Sequence, residues 1–126
     1  MPAFKSPSLA SATLEPNFTD HLMTFADNLL RLPAVAHIKE LQLLDANGQI
    51  TATIPNIPGK SGSVAVYHAL HSRHGCINVA AAHEGLKLFA EHTAHAQAQP
   101  GSHPNIDRLQ DVLTTGQGYE VKVITC

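Results

Sequence analysis

Apolar residues recur along this chain in two rhythms, and the places where one rhythm gives way to the other divide it into elements. From Thr24 the positions Phe25, Leu29, Leu30 and Leu32 follow helical spacing, with Thr24 as N-cap, Asp27 in the first turn and Pro33 as the stop. Ile38, Leu41 and Leu43 then lead into Asp45-Ala46-Asn47-Gly48, after which Ile50, Ala52 and Ile54 alternate with polar residues. That alternation across a turn ending in glycine predicts a hairpin, with Gly48 taking the positive φ. Ser61 or Ser63 caps a helix to about His74, which Gly75 ends. Asn78 caps a longer helix to about Ala96, with Val79, Ala82, Leu86, Phe89, Ala90 and Thr93 on one face. Pro100-Gly101 breaks the pattern. A last helix spans about Pro104 to Thr115 before Gly116, and Tyr119, Val121 and Val123 form a closing strand.

Strands at both ends of a run of helices predict an α+β domain. Its small antiparallel sheet is the hairpin plus the C-terminal strand, and the helices pack on one face. Residues 1–22 carry Pro2, Pro16 and several serines without periodicity, and read as a tail or extension ahead of a single domain over 23–126. Met23 stands at that boundary, either as an internal methionine or as the start of a shorter chain.

Composition narrows the partners. Eight Lys and Arg against ten Asp and Glu, with no basic run and no Trp, remove both the counterion-release drive and the stacking platforms of nucleic-acid binding. No apolar stretch is long enough to cross a membrane, and the first residues lack the apolar block of a signal peptide. Cys76 and Cys126 cannot form a disulfide framework, so a reduced, cytoplasmic setting is expected. At 14% charged residues the surface is thinly charged, which predicts a homo-oligomer.

Several segments invite a chemical reading. Pro58-Gly59-Lys60-Ser61-Gly62-Ser63 resembles the end of a phosphate loop, but the first glycine of that motif would fall at Ile54, so nucleotide hydrolysis is excluded. A helix start with Lys60, Ser61 and Ser63 remains, suited to an anion; the structural alternative is simple capping beside an exposed lysine. Nine histidines are many for 126 residues. His68, His71 and His74 recur every third residue, with His68 and His71 facing away from a buried side marked by Val66, Ala69 and Leu70. Each histidine pair lacks the further ligands of a closed metal site, so no metal and no cofactor is expected. His83-Glu84 and Glu91-His92-Thr93-Ala94-His95 both fail the zinc-protease spacing, and Glu91 with His95 instead suits a helix-surface ion pair. Cys76, just ahead of the Asn78 cap, reads as a buried inert thiol.

The densest polar run is Gly101-Ser102-His103-Pro104-Asn105-Ile106-Asp107-Arg108. Around a helix N-terminus, His103, Asn105, Asp107 and Arg108 would orient a carboxylate or phosphate, with Arg108 as a two-pronged clamp and His103 as an acid or base. The structural alternative has Ser102 or Asn105 capping, Asp107 favouring the dipole and Arg108 pairing locally. Taken with the loop at 56–63 and Glu91-His92-Thr93, this run resembles the uncharacterised bacterial domain-of-unknown-function family 2322. That resemblance implies a bacterial, cytoplasmic protein and brings no activity, cofactor or catalytic residue. The expected function is a non-catalytic, homo-oligomeric binding or assembly module with an anion or polar small-ligand site. The rivals are a small enzyme using His103 or His92 with Arg108 on an acidic substrate, and a weak metal binder built on surface histidines.

Overall fold

A computed structural model describes residues 23–126, and the expected tail at 1–22 lies outside the described residues. Helix α1 (Phe25–Leu29) opens with a reciprocal cap, the Asp27 amide donating to Thr24 Oγ1 and the Thr24 amide to the Asp27 carboxylate. It ends earlier than expected. The amides of Arg31 and Leu32 turn back to the carbonyls of Asn28 and Leu29, so the helix has already tightened into turns before Pro33.

Strands β1 (Ile38–Leu44) and β2 (Ile50–Pro55) form the hairpin. Asp45 Oδ1 accepts from the amides of Asn47 and Gln49 across its turn, and Gly48 has φ +81°. Strand β3 (Glu120–Thr125) pairs antiparallel with the other side of β1, giving the order β2-β1-β3. The register sets Leu41 between Ile54 and Val123, and Leu43 between Ala52 and Val121. Because side chains alternate along a strand, these residues share the face that meets the helices. Gln42, between Thr53 and Lys122, lies on the opposite face.

Four helices follow the hairpin: α2 (Ser61–His74), α3 (Val79–Leu88), α4 (Glu91–Ala98) and α5 (Pro104–Thr115). Val64, Ala65, Val66, Tyr67, Ala69 and Leu70 of α2 are all buried, so this helix is covered on nearly every side between the sheet and the outer helices. Neither Ser61 nor Ser63 caps it. The N-cap position is Lys60, and Ser61 Oγ donates to the Ile57 carbonyl instead. Gly75 ends the helix at φ +81°, as its position required. Gly85 of α3 lets that helix approach closely, since a methyl group there would lie 2.7 Å from Leu109 and 2.8 Å from Leu70.

The helix expected from Asn78 to Ala96 is two helices. Asn78 caps the first by accepting from the Ala81 amide, but the chain breaks at Phe89-Ala90, where Ala90 takes φ +52°. Phe89 turns into the core, and Thr93 Oγ1 donates to the carbonyl of Leu86. The apolar spacing runs through the break because both segments bury residues against the same core. Val79, placed on the buried face by that spacing, is 40% exposed.

Candidate functional site

Asn56 fixes the chain entering α2. Its side-chain amide donates to the carbonyls of Val35 at 2.9 Å and Ile38 at 2.8 Å. The amides of Lys60 and Ser61 both turn back to the Ile57 carbonyl, and Gly59 takes φ +86° between them. Among the described residues nothing accepts from the amides of Gly62 and Ser63. The first turn of α2 therefore presents free donors at its positive end.

A second helix start is held against the first by a buried tyrosine. Tyr67, on α2, donates its hydroxyl to the Asn105 carbonyl and accepts from Arg108 Nη1 at 3.2 Å. The same Nη1 donates to Asn105 Oδ1 at 2.8 Å, and the guanidinium stands over the Tyr67 ring at 5.7 Å from its centre. Burial pushes the Tyr67 hydroxyl up to about 12, against a smaller opposing pull from Arg108. Asp107 accepts from the Gly101 amide, Ser102 Oγ donates to the Gln99 carbonyl, and Pro104 occupies the first turn of α5. Neither Ser102 nor Asn105 caps that helix; its N-cap position is His103.

The two helix starts open on one cavity of about 420 Å³, lined by both the 58–63 and the 102–106 segments. Of the residues singled out in the sequence, Lys60, Ser61, Ser63, His103 and Asn105 line it. Asp107 and Arg108 do not, being turned to Gly101 and to Tyr67 and Asn105 respectively. The expected Arg108 clamp is thus a brace beneath the cavity. Its reach is spent on the neighbouring carbonyl and hydroxyl network rather than on the open space.

Apolar residues that carried no chemical signal complete the wall. Phe25 and Phe89 stack with centroids 5.4 Å apart, and the His92 ring meets Phe25 edge-on at 5.0 Å. Phe25 lies directly on Gly62, where an added methyl would come within 2.7 Å of its ring. Its amide donates to Glu91 Oε1 at 2.8 Å, so the helix-surface pair expected between Glu91 and His95 is replaced by a link from α4 to α1. Periodicity marked both phenylalanines as core residues, and nothing in the sequence alone separates a core face from a cavity wall.

Three histidines gather beside the cavity. His95 Nδ1 lies 2.8 Å from His103 Nε2, and the His92 and His103 rings are 5.5 Å apart. Desolvation first, then the neighbouring His95 and His92, hold the His103 imidazole below its ordinary range. In that contact one ring nitrogen donates and the other accepts, the roles being set by the tautomers. On the far side of α2, His37 and His68 meet edge-on at 6.0 Å, and the Nδ1 atoms of His68 and His71 are buried without a partner among the described residues. His68 and His71 are half-buried, so they do not point freely away from the core. His74 and Arg73 both pair with Glu84. Among the described residues no three His, Cys, Asp or Glu side chains are grouped to hold a metal ion, and Cys76 and Cys126 are free thiols.

A family model described as "Uncharacterized protein conserved in bacteria" (DUF2322) matches residues 25–123. No curated protein and no solved structure matches the chain. Among the described residues no helix is long and apolar enough to cross a membrane.

Proposed function

The chain belongs to this family of uncharacterised bacterial proteins, to which no chemistry is attached, and from the site's geometry we propose a non-catalytic small-ligand-binding module. Its ligand is a small carboxylate or phosphate that carries an apolar or aromatic body. The observation that supports this reading is the joining of two remote segments, 58–63 and 102–106, around one cavity of about 420 Å³. That volume suits a metabolite-sized molecule. The free amides of Gly62 and Ser63, with the exposed Lys60 ammonium, favour the anionic group. The Phe25–Phe89 stack, Leu29 and Ile106 favour an apolar body. The use of Arg108 as a brace speaks against the enzyme that pairs it with a histidine. Homo-oligomeric assembly belongs to the same proposal, on the grounds of a thinly charged surface.

The test is calorimetric titration of the full chain with inorganic phosphate, acetate and benzoate. Benzoate is expected to bind more tightly than acetate, because only it fills the aromatic wall. Lys60→Glu, at an exposed position that leaves the fold intact, should weaken benzoate binding by about tenfold. If no anion binds, or if Lys60→Glu binds as the parent does, the proposal fails.

A further inference from the structure

Both edges of the three-stranded sheet are open among the described residues, but only one of them can accept another strand. On β2 the Asn56 amide donates to Lys39 of β1, and alternation then turns Thr53 and Pro55 to the outside. Pro55 has no N–H to offer, and the register shifts between Leu43 and Leu44, so this edge is blunted. On β3 the Cys126 amide donates to His37 on the β1 side. Alternation therefore turns Glu120, Lys122 and Ile124 to β1 and leaves the peptide groups of Val121, Val123 and Thr125 facing outward. Tyr119 continues that outer row, and there it exchanges both bonds with Ile77. The unpaired edge thus begins at Val121 and contains no proline.

We infer that β3 is the dimer interface, pairing antiparallel with β3 of a second copy about a two-fold axis through Val123. The occupant follows from self-complementarity of the edge. A two-fold axis normal to the sheet requires one residue to face itself. With Val121 on the axis, Tyr119 is already committed to Ile77, and only the Val121 pair forms. With Lys122 on the axis, Val121 meets Val123 twice, but two ammonium groups face each other across the strands. An axis through Ile124 pairs Val123 with Thr125 twice and leaves Val121 unmatched. With Val123 on the axis, all three outward residues are used: Val123 meets itself and Val121 meets Thr125 twice, each pair exchanging two bonds. This register places β-branched residues opposite one another on the core-facing side and lays Lys122 against Ile124 of the partner subunit. The two three-stranded sheets become one continuous six-stranded sheet, with the helices of both copies on one face.

Sedimentation equilibrium of the full chain at micromolar concentration should report twice the 13.5 kDa chain mass. Hydrogen exchange should find the amides of Val121, Val123 and Thr125 protected, although none has an acceptor within its own described chain. Ile124→Lys faces Glu40 within its own sheet, so the fold is retained. In the dimer it faces Lys122 of the partner subunit at two places, and should weaken dimerisation about tenfold. A monomer at high micromolar concentration overturns the inference. So does a dimer whose Val121, Val123 and Thr125 amides exchange freely, or one that Ile124→Lys leaves unchanged.

Discussion

Removing a single oxygen from Tyr67 should loosen the brace that holds α5 against α2. The hydroxyl is fully buried, donates to the Asn105 carbonyl and accepts from Arg108. Tyr67→Phe leaves the ring packing in place and deprives both partners. A neutral hydrogen bond to a buried carbonyl is worth about 1 kcal/mol net, and a deprived charged donor costs somewhat more. Arg108 is only half-buried and can turn to solvent, so the total should be about 2 kcal/mol, near 10 °C in melting temperature for a chain of this size.

The pH dependence fixes the sign independently. The Tyr67 pKa is raised from 10.0 to about 12, so its contribution is fully present below pH 10 and is lost as pH rises through about 12. The parent's advantage over Tyr67→Phe should therefore shrink between those values. Urea unfolding of parent, Tyr67→Phe, Arg108→Ala and the double variant, at pH 8 and across the alkaline range, measures both effects. The double variant should lose about 1 kcal/mol less than the sum of the single losses, because all act on one network. Strict additivity, a loss under about 0.5 kcal/mol, or an advantage that grows with pH would refute the reasoning.

Ala90→Gly should stabilise the protein by roughly 1 kcal/mol, because φ +52° strains any residue with a side chain, and denaturant midpoints decide it. Gly118→Ala should cost more than about 3 kcal/mol, since its methyl would lie 2.0 Å from the Ile77 carbonyl that pairs with Tyr119, and melting temperature reads the loss. The depressed His103 pKa means that its contribution is present above the unfolded value near 6.5 and is lost as pH falls through the lower folded value. His103→Gln should accordingly flatten the drop in melting temperature between pH 7 and pH 5.

Much of the fold was legible from spacing and punctuation. The Asp45–Gly48 turn between alternating segments, Gly75 and Gly116 as helix ends, and the Thr24 and Asn78 caps are local events. Each is decided by backbone sterics and hydrogen bonding within a few residues. The pairing of β3 with β1 was expected from its alternating apolar residues, but it joins positions as remote in the chain as Leu41 and Val123 and is a tertiary event. The break at Ala90 was not legible, because its cause is Phe89 turning onto Phe25, 64 residues earlier in the chain. The cavity divides in the same way. Local composition marked Lys60, Ser61, Ser63, His103 and Asn105 as polar groups at helix starts. Only the packing of α5 on α2 through Tyr67 made those two starts neighbours, turned Arg108 inward and assigned two core-patterned phenylalanines to a cavity wall. Sequence alone determined the elements and their apolar faces, because those depend on neighbours along the chain. Which polar groups share a space depends on how the faces dock, and that was decided by the tertiary structure.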